Sequence, residues 1–354
     1  MVLPQHLYHL LAFAISGAIV LASTPIVKAI GLRSGRVDLP GDRKVHERPM
    51  VRLGGVSIFV GTAIALLLVW WIGGFIDASG KPLAPAEEYE IWGVTIGGLL
   101  FFLIGLADDL FSLSPVVRLG MQAIVATFVW HIGGVSIDFL TIPFVGVTQI
   151  GALSLPVTVI WLVGMANAIN WIDGLDGLAA GVSGIAAVVM LIVSLFMQQP
   201  AAALIAAALA GGALGFLRYN FNPAQIFMGD GGAYFMGFTL AGVGVIGLVK
   251  STAVTAVVLP YIILAVPILD MSAVIVDRLR SGKSPFIADK RHLHHRLLNA
   301  GLSHRLTVLF IYALTLWVGS LALVFASIPS GFIYAMAATS LLGYASWKVW
   351  KHAR

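Results

Sequence analysis

Residues 167–177 read NAINWIDGLDG, and this polar stretch is enclosed on both sides by long apolar runs. The pattern predicts two hydrophobic helices that meet at a polar connection. Two amides and two carboxylates in so apolar a region indicate either a functional site or a helix-to-helix connection whose Asp residues act as N-caps. If the stretch is helical, Asn170, Asp173 and Asp176 recur at i, i+3 and i+6 and share one broad face.

The composition extends this pattern to the whole chain. Hydrophobic residues make up 59% of the 354 residues and charged residues only 10%. Soluble domains average roughly half apolar and a quarter charged, so we expect an all-α polytopic membrane protein. The absence of cysteine excludes disulfides, thiolate nucleophiles and Cys-ligated metal sites. No Lys or Arg precedes the first apolar run, which predicts an uncleaved first span. No nucleic-acid-binding domain is evident.

Successive apolar runs predict about eleven transmembrane helices in one membrane-embedded domain, residues 1–354. They lie near 7–30, 53–73, 91–108, 116–132, 153–169, 178–197, 201–217, 232–249, 253–275, 307–328 and 331–350. With the N-terminus outside and the C-terminus cytoplasmic, 19 of the 21 Lys and Arg residues fall on the cytoplasmic side, leaving Lys81 and Lys250 outside. The positive-inside rule requires such an asymmetry.

Two local features modify this helical plan. The stretch 133–151, with VSIDF and IPFVGVTQI, predicts a small external β-hairpin. Pro260 and Pro267 should kink the ninth span, in which Asp270 lies about two turns from the cytoplasmic end.

The same threading places the polar motifs on the cytoplasmic face. They follow five different spans and comprise Arg43, Lys44, His46 and Arg52; Asp108 and Asp109; Asn167 to Asp176; Asn220 to Asp230; and His292, His294 and His295. A basic face that holds a few acids suits an anionic substrate and a metal ion. Each acid taken alone could instead be an interfacial cap or an ion pair with a neighbouring Arg.

The acids suggest metal-assisted phosphoryl transfer. Asp108 and Asp109 are adjacent, so on a helix their side chains diverge by about 100°, and one could face a metal while the other accepts a proton. Asp230 stands between glycines in FMGDGG, where backbone N–H groups and a carboxylate approach phosphate and cation together. Hard oxygen ligands predict Mg²⁺ or Mn²⁺, which offsets the charge of a departing phosphate.

The other two motifs have competing interpretations. The run RHLHHRL is either a diphosphate-binding loop or a basic segment that meets anionic lipid headgroups, and no nearby Glu or Cys completes a transition-metal site. Asn220 and Phe227 flank the approach to Asp230 and could form a nucleobase pocket. The alternative is interfacial packing of the aromatic residues in YNFNPAQIF.

Taken together, five segments resemble the polyprenyl-phosphate N-acetylhexosamine-1-phosphate transferase superfamily of glycosyltransferase family 4 type. They are DLPGDRKVHERPMVRLGG (38–55), Asp108-Asp109, NAINWIDGLDG, FNPAQIFMGDGG and DKRHLHHRL (289–297). The HLHH pattern and RKVHERP-x-x-RLGG loop are similar to the WecA/TagO branch. The MraY branch shows three consecutive His, whereas Leu293 interrupts the triplet here.

The resemblance implies transfer of N-acetylglucosamine-1-phosphate from UDP-GlcNAc to undecaprenyl phosphate at the cytoplasmic face of the bacterial inner (plasma) membrane, with release of UMP. This is the first lipid-linked step of cell-envelope polysaccharide synthesis, and it implies Mg²⁺ or Mn²⁺ as cofactor. Carried over residue by residue, Asp230, Asp108 and Asp109 match the metal site. The catalytic set is Asp108, Asp109, Asp173, Asp176, His294 and His295. The nucleotide-binding set is Asn170, Leu175, Asp176, Asn220, Phe227, Arg52 and His292.

Several alternatives stay open at this stage. The donor could be another UDP-N-acetylhexosamine or UDP-MurNAc-pentapeptide. The lipid phosphate could attack directly, with Asp108 as base, or through a covalent aspartyl-phosphate. From other classes, a secondary transporter of an anionic solute would place its acids near the bilayer midplane, and a lipid-binding scaffold would leave the converging motifs unexplained. The expected partners are UDP-sugar, undecaprenyl phosphate and membrane lipids, with a homodimer left open.

Overall fold

The computed structural model describes residues 4–35, 37–38, 49–142, 146–249, 254–284 and 291–352. Helices dominate these residues. They are α1 Gln5–Arg33, α2 Gly54–Trp71, α3 Pro85–Phe111, α4 Pro115–Ile132, α5 Ser154–Ile172, α6 Leu178–Phe196, α7 Pro200–Asn220, α8 Gly229–Gly244, α9 Val254–Ile263, α10 Ala265–Arg280, α11 Leu293–Asn299, α12 His304–Phe325 and α13 Gly331–His352. The protein is therefore the all-α polytopic membrane protein that the composition predicts.

Eight of the described helices, α1 to α7 and α12, are long and apolar enough to cross a bilayer. The count of eleven spans is not confirmed. In the eighth predicted span, α8 has 16 residues and continues as a π-helical segment, Val245–Val249. A span needs about 20 residues, so α8 alone is too short.

The ninth predicted span is interrupted at Leu264, between α9 and α10. Pro267 lies in the first turn of α10, where its missing N–H would have no intrahelical partner. The proline-induced kink itself stays a prediction, and the interruption separates Asp270 on α10 from the apolar α9.

Two short antiparallel pairs lie outside the helices. Strands β3 (Phe139–Ile142) and β4 (Gly146–Gln149) pair in the register Phe139 to Gln149, within the stretch predicted as a hairpin. Their position outside the membrane stays a prediction. Strands β1 (Val37–Asp38) and β2 (Met50–Val51) pair where the chain enters α2. Arg43, Lys44 and His46 lie between these two strands, outside the described residues.

Helix α8 is the central element of the core. It packs against α2, α3, α5, α6 and α7. All of its residues are buried except Asp230 in its first turn, which is half-buried. This surrounded position explains the small residues of GDGGAYFMGF, because neighbouring helix backbones can approach closely only where side chains are small. The fold therefore brings one acid on a buried helix to the point where the neighbouring helices end.

Candidate active site

Asp108 lies near the end of α3 and is held by the turn that follows. Ser112 adopts a left-handed conformation with φ 53°, and it ends the helix. The returning Leu113 N–H donates to Oδ1 of Asp108 at 2.8 Å. Ser114 then caps α4, and Arg118 in α4 pairs with Oδ2 of Asp108. Both oxygens of Asp108 are therefore engaged within the fold.

Asp109 points towards α8, as the expected divergence of adjacent side chains requires. Its Oδ2 accepts a hydrogen bond from Gly231 N–H at 3.1 Å. Gly229 makes this approach feasible: its φ is +75°, and an added Cβ would lie 2.1 Å from the carbonyl oxygen of Arg52. The second oxygen, Oδ1, is buried without a hydrogen bond, and its nearest cationic group is Arg52 Nε at 3.7 Å. Asp109 therefore has one oxygen free to accept a ligand.

Asp230 is the point at which four elements meet. Asn170 at the end of α5 donates from Nδ2 to Oδ1 of Asp230 at 2.8 Å. An Arg52 amino nitrogen, from just before α2, lies 3.4 Å from Oδ1, and an Arg118 amino nitrogen lies 3.8 Å from Oδ2. Each arginine thus bridges two acids: Arg52 joins Asp109 to Asp230, and Arg118 joins Asp108 to Asp230. Three carboxylates therefore share two guanidinium groups.

This acid cluster, Asp108, Asp109 and Asp230, suits a hard divalent cation. In the part of the chain that the structure describes, no three or more His, Asp or Glu side chains are grouped so that they could hold a metal ion by themselves. Mg²⁺, however, is usually held by one or two carboxylates together with waters and substrate phosphates. The unpartnered buried Oδ1 of Asp109 and the neighbouring Asp230 supply that donor set. Of the three predicted metal ligands, Asp108 is the one whose oxygens are already occupied.

The stretch 167–177 is a polar connection between two helices, as the flanking apolar runs predict, so the face that one continuous helix would give does not form. Helix α5 ends at Ile172, and Asp173 leaves the helix with ψ 47°. Asp173 is half-buried beside the acid cluster. Burial raises the pKa of the Asp173 carboxyl to about 7, an effect that Arg52 opposes and that Asp230 and Asp109 reinforce. The backbone turns here because each of the two Asp residues precedes a glycine, and Gly177 has φ 79°.

Asp176 stabilises a neighbouring loop. Its Oδ2 accepts hydrogen bonds from Asn222 Nδ2 at 3.0 Å and from Ala224 N–H at 2.9 Å. Its own N–H donates to His304 Nε2, at the start of α12, at 2.9 Å. The adjacent Leu175 is buried. Asp176 therefore ties the α5–α6 connection to the loop after α7.

Asn220 and Phe227 lie at the two ends of that loop. Asn220 is buried, its Oδ1 accepts from Gly177 N–H at 3.1 Å, and its Nδ2 donates to Ile226 O at 2.9 Å. The amide thus braces the loop with both of its polar atoms. Phe227 is half-buried, and its backbone N–H donates to Val51 O at 2.8 Å. The predicted contact of either side chain with a nucleotide stays a prediction.

The histidine loop, His292 to His295, packs against the stretch 167–177. The rings of His292 and His294 are parallel with centroids 5.6 Å apart, and His295 follows 4.3 Å from His294. His294 lies against Gly174, where an added Cβ would stand 2.4 Å from Nε2. Burial, with the neighbouring His295 and His292, lowers the pKa of His294 to about 3. His294 is therefore neutral near pH 7 and cannot attract a diphosphate by charge.

Sequence reasoning missed three residues that hold this site together. Arg118 contacts two of the acids, and His304 supports the backbone of Asp176. Asp270, to which the sequence analysis assigned no role, contacts His292. A signal existed for Arg118, because it is the only basic residue between Lys81 and Arg218 other than His131. His304 and Asp270 carry no comparable signal, since their partners are distant along the chain.

Comparisons with known proteins identify the family of the chain. A family model described as glycosyl transferase family 4 matches residues 91–248. The chain is 37% identical over 337 residues to a Bacillus subtilis protein named probable undecaprenyl-phosphate N-acetylglucosaminyl 1-phosphate transferase, covering 95% of this chain and 86% of that protein.

Two further relatives have similar names. A Mycolicibacterium smegmatis decaprenyl-phosphate N-acetylglucosaminephosphotransferase is 37% identical, with 85% of this chain and 77% of that protein covered. An Escherichia coli undecaprenyl-phosphate alpha-N-acetylglucosaminyl 1-phosphate transferase is 28% identical, with 92% and 88% covered. The chain therefore belongs to the polyprenyl-phosphate N-acetylglucosamine-1-phosphate transferase family.

Proposed function

We propose that this protein transfers N-acetylglucosamine-1-phosphate from UDP-GlcNAc to undecaprenyl phosphate at the cytoplasmic membrane face and releases UMP. The observation that carries the proposal is the acid cluster with its two bridging arginines, located where helices of a membrane protein end. Relatives named for N-acetylglucosamine-1-phosphate transfer to polyprenyl phosphates support the substrate choice. Membership of this family leaves the transporter and scaffold alternatives without support.

The chemistry is one displacement at phosphorus. An oxygen of the lipid phosphate forms a bond to the β-phosphorus of UDP-GlcNAc, and the bond from that phosphorus to the bridging oxygen breaks, so that UMP leaves with the electron pair. A phosphate monoester loses its second proton near pH 6, so most of the lipid phosphate is already a dianion at neutral pH. Asp108 is then needed as a base only for the remaining fraction, which agrees with the engagement of both its oxygens.

The acid cluster and the residues that contact it would bind the metal ion and the phosphate groups. Asp109 and Asp230 would hold Mg²⁺ or Mn²⁺, which when bound offsets negative charge on the diphosphate. Arg118, fixed by Asp108, and Arg52, which is exposed, present guanidinium groups to phosphate oxygens. Asn170 orients Asp230 through a 2.8 Å hydrogen bond. These groups position the lipid phosphate next to the diphosphate of the nucleotide sugar, two anions that would otherwise repel each other.

The nucleotide would lie between the stretch 167–177 and the loop after α7. Asp173 and the braced loop carrying Phe227 border this region, and His292, His294 and His295 close it from the α11 side. The N-terminus is then outside and the C-terminus cytoplasmic, because the basic residues flank the same helix ends as the acids.

Purified protein in vesicles, supplied with undecaprenyl phosphate, Mg²⁺ and UDP-GlcNAc, should release UMP and form a lipid-linked sugar diphosphate. UDP-GalNAc and UDP-glucose serve as matched donors, and vesicles without lipid phosphate as the control. Release of UMP from another donor but not from UDP-GlcNAc would contradict the proposal.

Direct attack is separated from a covalent intermediate by isotope exchange. If an aspartyl-phosphate forms, labelled UMP exchanges into UDP-GlcNAc without any lipid phosphate. We expect no such exchange, because in direct attack the UMP bond breaks only when the lipid phosphate attacks.

A further inference from the structure

Asp270 is a buried carboxylate that the reaction scheme leaves unassigned. It lies in α10, the second half of the interrupted ninth span, and it is only 9% exposed. A buried charged group is costly unless it is paired and hydrogen-bonded. Its two oxygens have such partners, and both belong to the histidine loop, where α11 begins.

The two hydrogen bonds of Asp270 fix the beginning of α11. Oδ1 accepts from the backbone N–H of Leu293 at 2.7 Å, and Oδ2 lies 2.8 Å from Nδ1 of His292. An ionised carboxylate can only accept hydrogen bonds, so Nδ1 of His292 must carry the proton. The neutral ring then has Nε2 unprotonated, and this tautomer is assigned by the carboxylate.

His292 transmits this arrangement towards the site. Its ring contacts the edge of Trp171 with centroids 5.9 Å apart and is parallel to His294. Trp171 follows Asn170, which holds Asp230, and His294 lies against Gly174. Arg278, about two turns beyond Asp270 on α10, stacks over Trp171 with its guanidinium carbon 5.0 Å from the ring centroid. Helix α10 therefore supports the stretch 167–177 in two ways: Asp270 acts through His292, and Arg278 contacts Trp171 directly.

We propose that Asp270 is a positioning residue for the transfer reaction, acting through His292: it orients the imidazole, fixes its Nδ1–H tautomer and so keeps Nε2 unprotonated, as a hydrogen-bond acceptor for a hydroxyl group of the nucleotide sugar. The inference rests on the proposed function, and it adds to it a carboxylate–histidine pair built across two elements. Where a carboxylate orients a metal-ligating histidine in this way, it sets ring orientation and tautomer, and its loss typically costs about 10–100-fold in metal affinity or activity; we expect a similar size of effect here.

A simple tether of the loop would give the same static picture, and Asp270→Asn separates the two roles. The Asn oxygen can still accept from Leu293 N–H, so the tether remains. Its amide nitrogen now donates to Nδ1 of His292, which forces the proton onto Nε2. We expect kcat/KM for UDP-GlcNAc to fall about 10–100-fold while the protein remains folded. The matched control is Asp138→Asn, a carboxylate with two serine partners beside β3, which should retain activity.

A double-mutant cycle with His292→Gln identifies the route of the effect. If Asp270 acts through His292, Asp270→Asn costs nothing further in the His292→Gln background. Wild-type activity in Asp270→Asn, or an equal loss in both backgrounds, would overturn the proposal.

A second measurement needs no activity at all. In ¹⁵N-histidine-labelled protein, the signal of His292 is identified among nine histidines by its loss in His292→Gln. We expect a protonated Nδ1 in the wild type and a protonated Nε2 in Asp270→Asn. Nε2–H in the neutral wild-type ring would refute the pair. If instead UDP-GlcNAc yields no UMP, the proposed function fails, while the tautomer result still decides whether the pair exists.

Discussion

Two groups of carboxylates at the same end of the helices differ in how well they are satisfied. Asp176 and Asp270 each accept hydrogen bonds from neutral donors on neighbouring loops. Asp109 and Asp230 each accept one such hydrogen bond, from Gly231 N–H and Asn170 Nδ2, but Asp109 Oδ1 is buried without a hydrogen bond, and both acids share arginines at 3.4 to 3.8 Å. A buried carboxylate without its full set of partners costs free energy. Asp109 and Asp230 therefore lower the stability of the folded protein.

The difference indicates which acids act on substrate. A satisfied carboxylate stabilises the loops that donate to it, and its removal leaves those donors unpaired. An under-satisfied carboxylate becomes satisfied only when a cation and substrate bind, so its removal should affect turnover more than folding. The following predictions test that separation.

The largest effect is expected for Asp230→Asn. We expect turnover to fall about 10³-fold at every Mg²⁺ concentration, because the change removes a cation ligand and a partner of both arginines. The apparent unfolding temperature should stay equal or rise, since repulsion from Asp109 is relieved. Activity is followed as UMP release and unfolding by a thermal scan in detergent.

The control for this change is Asp277→Asn, which removes a half-exposed charge on α10 that pairs with Arg291 and Arg296. Exposed pairs contribute little, so neither activity nor unfolding should change appreciably. Full activity of the Asp230→Asn protein would show that Asp230 is not part of the active site.

A smaller effect on turnover but a larger one on folding is expected for Asp176→Ala. The change leaves Asn222 Nδ2 and Ala224 N–H without their acceptor, which costs about 1–3 kcal/mol of unfolding free energy. The loosened loop should raise KM for the nucleotide sugar about tenfold with a smaller change in kcat. If Asp176→Ala unfolds at the wild-type temperature, the distinction between the two groups of acids is wrong.

The smallest effect concerns the pH dependence of stability through His294. Its folded pKa, about 3, lies below its unfolded value of 6.5. Below pH 6.5 the unfolded chain therefore binds a proton that the folded protein excludes, and the stability contributed by neutral His294 is lost as the pH falls. Asp173, with its raised folded pKa, acts in the opposite direction over the same range.

His294→Asn isolates this contribution. The unfolding temperature of the variant minus that of the wild type should be about 2–4 °C larger at pH 5.5 than at pH 7.5. A constant difference across that range would show that His294 is not kept neutral by burial.

The polar stretch 167–177 shows how much of the structure a local sequence pattern can predict. The alternation of apolar runs with polar motifs predicted helical spans and the convergence of the motifs at one end. It could not predict that the helix ends at Ile172, because the energetic gain from ending there comes from distant partners: Asp230 for Asn170, and Asn222 and His304 for Asp176. Even Asn167 proved to pair with Gln122 of α4 at 2.7 Å.

The sequence by itself determined the membrane class, most of the helices, the set of acids and histidines at the helix ends, and the family. Each of these follows from composition, periodicity or motif, which are local properties of the chain. Only the tertiary structure decided which carboxylate oxygens are satisfied, that Asp108 is bound to Arg118, and that Asp270 supports His292. Those outcomes depend on hydrogen-bond partners that are distant along the chain and become neighbours only when the helices pack.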